Sequence, residues 1–111
     1  MHKGADKTLK ALLDRFNEMG FNPNGKTVSD RYSIYVHFDF NDPIERKNKG
    51  LRDRFISLMQ TIESTTNFTY RIKGDKDDRI CGGYLKIIKC NLKDDFSYAI
   101  RSIIGISKFD L

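Results

Sequence analysis

Residues 32–40 read Tyr-Ser-Ile-Tyr-Val-His-Phe-Asp-Phe, and this stretch decides the fold. Large apolar or aromatic residues at positions 32, 34, 36, 38 and 40 alternate with Ser, Tyr, His and Asp. Successive side chains of a β-strand point to opposite faces of a sheet, so this period of two predicts a strand with one buried face. Tyr35 and His37 then lie on the other face, which water can reach.

Two further strands are predicted later in the chain. Residues 67–73 alternate in the same way, and a polar turn at 74–78 leads to a third strand at 80–90, which indicates a hairpin. If Phe68, Tyr70 and Leu85 are buried, their neighbours in sequence face outward; the facing of the third strand stays open, because a bulge would exchange the roles of Tyr84 and Leu85. The outward side chains of these two strands are those of Thr69, Arg71, Lys73, Tyr84, Lys86 and Ile88.

Helical spacing of apolar residues predicts three helices. The first covers residues 6–20 and the last covers residues 91–104. The middle helix is expected from Asp42, as its N-cap, to about residue 64, with Pro43 in its first turn. The turn-rich residues 22–31 are expected to form a loop, and residues 106–111 a short edge strand.

The order of these elements predicts the fold class. Residues 32–111 give β-α-β-β-α-β, the split β-α-β pattern of an α+β, ferredoxin-like sheet. The N-terminal helix at 6–20 is an addition that covers a sheet edge or part of the open face. With 111 residues, the chain is predicted to form one domain, residues 1–111.

Charge favours an anionic partner. The chain has 20 Lys and Arg against 15 Asp and Glu, a formal net charge of +5 and a pI near 9.3. A basic domain attracts phosphates through its summed field, although a solvated surface of ordinary function explains this charge equally well. Residues 44–54, the basic segment, concentrate the positive charge. The basic residues of this segment are Arg46, Lys47, Lys49, Arg52 and Arg54.

Residues 20–27, Gly-Phe-Asn-Pro-Asn-Gly-Lys-Thr, match the spacing of a phosphate-binding P-loop. A working P-loop follows a strand and precedes a helix, so that loop amides and the helix N-terminus converge on phosphate. Here a helix is predicted before Gly20 and a strand after Thr27, and Pro23 removes an amide. A long turn is therefore the preferred interpretation, with nucleotide binding as the weaker alternative.

No catalytic or metal-binding constellation is predicted. Cys81 and Cys90, on one extended strand, would lie roughly 30 Å apart, which excludes both a disulfide and joint metal ligation. His37 has no nucleophile near it in sequence, so a surface histidine is the simpler interpretation. We therefore expect a protein that is not an enzyme and that uses no cofactor and no metal.

The order of elements from residue 32 resembles an RNA-recognition motif. Ile34-Tyr35-Val36 is similar to the start of the first-strand signature of that family, and Gly83-Tyr84 is similar to the glycine-aromatic step of its third-strand signature. Lys86 stands where a second stacking aromatic is usual in the family. The resemblance implies that Tyr35 and Tyr84 stack on bases.

Together, these patterns predict a small basic binding module for RNA or single-stranded nucleic acid. Tyr35 and Tyr84 are expected to stack on bases, and Arg71, Lys73, Lys86 and the basic segment to contact phosphates. The alternative is a small regulator or inhibitor that binds a host protein, a style common among phage-encoded proteins. No apolar stretch approaches a membrane span and the N-terminus has no apolar signal segment, so a cytoplasmic protein without a membrane partner is expected.

Overall fold

The computed structural model describes residues 3–89, which form two helices and one four-stranded antiparallel sheet. The fold class of residues 3–89 is therefore α+β. The strands lie side by side in the order β1-β2-β4-β3. The elements are α1 (Lys3–Glu18), β1 (Pro23–Ser29), β2 (Ser33–Ile44), α2 (Lys49–Thr65), β3 (Thr69–Gly74) and β4 (Ile80–Ile88).

Both helices pack on the same face of the sheet. The ring of Phe16 in α1 lies 5.0 Å from that of Phe38 in β2, and Phe38 lies 6.0 Å from Phe55 in α2. These three side chains are almost fully buried, as is Leu85 of β4. Burial of each such side chain contributes about 1.5–3 kcal/mol, so this contact layer holds the helices on the sheet.

The predicted N-terminal helix is confirmed as α1, but it does not cover the open face: it packs on the core face, mainly against the edge strand β1. Gly25 explains why α1 lies on the core face against β1. A Cβ atom added at Gly25 would meet Leu9 and Leu13 of α1 and the carbonyl oxygen of His37. The missing side chain therefore lets the helix approach the strand closely.

The predicted loop at residues 22–31 is wrong for most of its length, because residues 23–29 form β1. The strand pairs with β2 in continuous register from Pro23 opposite Phe40 to Ser29 opposite Ile34. Residues 23–29, which by themselves favour a turn, form a strand because the backbone of β2 hydrogen-bonds with theirs and α1 covers one side of β1.

The predicted start of the middle helix at Asp42 is also wrong. Strand β2 continues to Ile44, which is 2% exposed and lies opposite Ile80 of β4. The helix begins at Lys49, where the side chain of Asn48 accepts a hydrogen bond of 3.3 Å from the backbone N–H of Leu51. Burial of Ile44 in the core outweighs the local helix-start signal of Asp42 and Pro43.

The predicted hairpin of residues 67–73 and 80–90 is confirmed as β3 and β4. The pairing of β3 with β4 shifts register near Gly82, and Gly82 has a φ of 149°, a backbone conformation that residues other than glycine rarely adopt. The helix expected at 91–104 and the strand expected at 106–111 lie outside the described residues.

Candidate functional site

The face of the sheet opposite the helices, called the open face below, carries one row of side chains that crosses all four strands. Lys26 of β1 lies opposite His37 of β2, His37 lies opposite Tyr84 of β4, and Tyr84 lies opposite Arg71 of β3. Directly opposite residues in an antiparallel sheet share a face. The register therefore places two rings in the centre and one cation at each end of this central row.

Two further rows flank the central row on the open face. On one side of the central row, the pairing aligns Val28, Tyr35, Lys86 and Thr69. On the other side it aligns Asn24, Asp39, Gly82 and Lys73. Within residues 3–89, both helices pack on the other face, so no described helix or strand covers these rows.

Three rings form a ring cluster at the centre of the open face: Tyr35, His37 and Tyr84. Tyr84 lies 5.5 Å from Tyr35 in an edge-to-face arrangement and 5.3 Å from His37, and Tyr35 and His37 are 6.0 Å apart with nearly parallel planes. All three are half-buried. Each ring thus keeps part of its surface in contact with water and is positioned by the other two.

Cations surround the ring cluster, and their ion-pairing differs. The Lys86 Nζ atom lies 5.8 Å from the centre of the Tyr35 ring, within reach of a cation–π interaction. Lys73 Nζ lies 3.3 Å from a carboxylate oxygen of Asp39. This ion pair spans the position of Gly82, which has no side chain between them. Among the residues described, Lys26 and Arg71 make no ion pair.

Asp30 lies in the turn between β1 and β2, near Tyr35 and Lys86. One of its carboxylate oxygens accepts hydrogen bonds from the backbone N–H groups of Tyr32, at 2.9 Å, and Ser33, at 2.7 Å. These hydrogen bonds hold the pKa of Asp30 below its ordinary value, and the bond from Tyr32 has the largest effect. The Tyr35 side chain and the charge of Lys86 lower it further by smaller amounts. A negative charge is therefore fixed at this end of the open face.

The basic segment lies elsewhere, between the end of β2 and the first turns of α2. Arg46 Nε lies 3.7 Å from the Asp78 carboxylate, and Arg52 donates a hydrogen bond of 2.6 Å to the carbonyl oxygen of Asp78. Lys47 and Lys49 line a surface groove of about 510 Å³ together with Glu45 and Arg46. Arg54 is exposed on α2. The segment is thus a second basic surface at one end of the sheet.

The residues of the P-loop-like match do not form a phosphate loop. Residues 23–27 are part of β1, and Thr27 donates a hydrogen bond of 3.1 Å to the Asp6 carboxylate. Lys26 instead projects onto the open face, opposite His37. Sequence reasoning missed Lys26 and Val28 as residues of this face, because residues 23–29 show no alternation of apolar and polar side chains that would have indicated a strand.

The five predicted sheet residues, by contrast, share one face: Tyr35, Arg71, Lys73, Tyr84 and Lys86.

Within residues 3–89, no group of three or more His, Cys, Asp or Glu side chains is arranged to hold a metal ion. Neither described helix has the length and apolar character needed to cross a membrane. Comparison with protein-family models, with curated proteins and with solved structures finds no match to this chain.

Proposed function

We propose that this protein is a non-enzymatic, cytoplasmic binding module for RNA or single-stranded DNA, and that it binds through the open face. The observation that carries the proposal is the ring cluster with cations around it. Exposed aromatic faces stack on bases of any sequence, and Lys or Arg at their margins pair with phosphates.

Stacking on the ring cluster favours a single-stranded ligand over a duplex. Stacking of one base on an aromatic side chain is worth about 1–3 kcal/mol, and it requires bases that are not already stacked and paired. Tyr35 and Tyr84 lie on adjacent strands and offer stacking surfaces side by side. The net charge of +5 adds a general attraction for polyanions.

The topology supports a ferredoxin-like arrangement for this binding module. Strands β2 and β3 are joined through α2, and β4 lies between them, which is the split β-α-β unit of that fold. Strand β1 occupies the edge next to β2, the place that the final strand takes in the usual chain order. The chain order α1-β1-β2-α2-β3-β4 thus corresponds to a circularly permuted ferredoxin-like fold.

The likeness to an RNA-recognition motif rests on Tyr35 and Tyr84, which lie on the two central strands, as the stacking aromatics of that family do. Lys86, in the place of a further aromatic, adds a charge beside the Tyr35 ring. The basic segment extends the positive surface, where Lys47 and Lys49 make no ion pair among the described residues. We assign the segment a supporting contact with phosphates beyond the open face.

The test is fluorescence anisotropy with labelled single-stranded RNA and DNA of the same mixed sequence, about 10 nucleotides long. Tyr84→Leu removes the ring but keeps an apolar side chain, and we expect it to weaken binding by roughly 5- to 150-fold, the equivalent of about 1–3 kcal/mol. Tyr84→Phe keeps the ring and should bind like the wild type.

Tyr32→Leu is the matched control, because Tyr32 is 68% exposed at the hairpin turn and lies outside the ring cluster. Tighter binding of RNA than of DNA would identify RNA as the ligand through its 2′-hydroxyls. The proposal is wrong if neither oligonucleotide binds at about 50 mM salt, or if Tyr84→Leu binds as well as the wild type.

A protein partner is the second candidate, and one observation favours it. Tyr32 is the most exposed large apolar side chain among the described residues, and the Arg31 guanidinium lies 5.5 Å from the centre of its ring. Tyrosine and arginine are enriched among residues that dominate protein interfaces. Co-purification from a nuclease-treated lysate tests this candidate: a stoichiometric partner that is lost in Tyr32→Ala supports a regulator or inhibitor.

A further inference from the structure

We propose that the nucleic-acid backbone crosses the strands along the central row, with phosphates on Lys26 and Arg71 rather than on Lys73. This inference rests on the proposed function and names the cations and the path of the ligand. Lys26 enters the site only because residues 23–29 form a strand beside β2.

The first argument is the balance of charge on each row. Lys26 and Arg71 are exposed and have no carboxylate partner among residues 3–89. Lys73 lies 3.3 Å from the Asp39 carboxylate, so its charge is already compensated. A phosphate that approached Lys73 would also approach Asp39, and the repulsion would offset the attraction.

The second argument is the position of the two carboxylates. Asp39 lies in the row on one side of the central row, and Asp30 lies beyond the other side, near Tyr35 and Lys86. A backbone that ran parallel to the strands would pass close to one or both negative charges. A backbone that ran across the strands would meet cations at both edges of the sheet and rings between them.

The third argument is the spacing and symmetry of the central row. From β1 to β3 the row reads cation, ring, ring, cation, and its two halves meet where β2 pairs with β4. Three strand spacings separate the Cα atoms of Lys26 and Arg71 by roughly 14 Å. Bases that stack on His37 and Tyr84 would thus be held between two phosphate contacts, one at each edge.

The experiment measures the salt dependence of binding to labelled single-stranded RNA and DNA for single substitutions. Each phosphate contact that is lost lowers the slope of log affinity against log salt by about 0.7 for a single strand. We expect Lys26→Gln and Arg71→Gln each to lower the slope by about that amount. Lys73→Gln, the matched control, should leave the slope unchanged, and Asp39→Asn should tighten binding since it releases the charge of Lys73.

The results separate this inference from the proposed function. If the ring variant Tyr84→Leu weakens binding but Lys26→Gln leaves the slope unchanged, the path is wrong and the function stands. If Lys73→Gln lowers the slope more than Lys26→Gln does, the proposed path across the strands is wrong, and a path of the nucleic-acid backbone along β3 is favoured instead. Absence of binding by the wild-type protein would overturn both. Circular dichroism of each variant checks that these surface substitutions leave the fold intact.

Discussion

Substitution of Gly25 by alanine tests the contact that fixes α1 on β1 and, with it, the position of Lys26. The added Cβ atom would lie 2.7 Å from the carbonyl oxygen of His37, 2.5 Å from Leu9 Cδ1 and 3.3 Å from Leu13 Cδ2. Carbon and oxygen atoms normally approach no closer than about 3.3 Å, so the strands must separate by roughly 0.6 Å at this point. The carbonyl belongs to the backbone of β2 and cannot rotate away as a side chain would.

Overpacking of this kind costs about 1–3 kcal/mol, and the loss of glycine's freedom in the unfolded chain offsets about 0.4–1 kcal/mol of it. We therefore expect Gly25→Ala to lower the free energy of unfolding by about 1–2 kcal/mol and the melting temperature by roughly 5–10 °C. Urea denaturation followed by circular dichroism measures the first quantity, and a thermal scan measures the second.

Gly50→Ala is the matched control, because nothing lies within 4 Å of the Cβ position at Gly50 in α2. Alanine favours the helix there, so stability should rise by up to about 0.5–1 kcal/mol. A Gly25→Ala protein as stable as the wild type would refute the close approach of α1 to β1, and with it the reason that residues 23–29 form a strand.

Two further predictions concern the ends of elements. Asn48→Ala should lower the free energy of unfolding by about 1 kcal/mol, since the N-cap hydrogen bond to Leu51 is lost, and urea denaturation at pH 7 measures the change. Asp30→Ala should destabilise the protein at pH 7 but not in strong acid. The lowered pKa of Asp30 means that its stabilising effect is complete above the ordinary value of 3.8 and is lost as the pH falls through the lowered pKa. Denaturation of both proteins from pH 7 down to pH 2 checks this, and an equal difference at every pH would contradict it.

The sequence predicts those parts of the fold whose periodicity agrees with their tertiary environment. The alternation from Ile34 to Phe40 reflects a central strand with one side against the helices, so the outward direction of Tyr35 could be read directly; Tyr32, expected on the buried face, instead lies before the strand and is exposed. The same alternation placed Arg71 on the outward face, and it placed Tyr84 there only with Leu85 taken as buried. The structure has Arg71 of β3 directly opposite Tyr84 of β4. The stacking function of these residues stays a prediction.

Local signals failed where distant residues decide the structure. Asp42 and Pro43 form a good helix start by themselves, yet Ile44 is the last residue of β2 and is buried against β4, opposite Ile80, which lies 36 positions later in the chain. Residues 23–29 contain only two adjacent residues that favour a strand, Thr27 and Val28, and the strand exists because β2 and α1 flank it. Lys26 could therefore not be assigned to the open face without knowledge of that pairing.

The chain order divides the described domain into two successive helix–hairpin units, α1-β1-β2 and α2-β3-β4, joined by the pairing of β2 with β4. Tyr35 and His37 belong to the first unit and Tyr84 to the second, so neither unit alone assembles the three rings. Contacts between segments distant in sequence form late and slowly in folding. The ring cluster is thus complete only when the two units pair through β2 and β4, and a ligand that bound both tyrosines would stabilise that pairing.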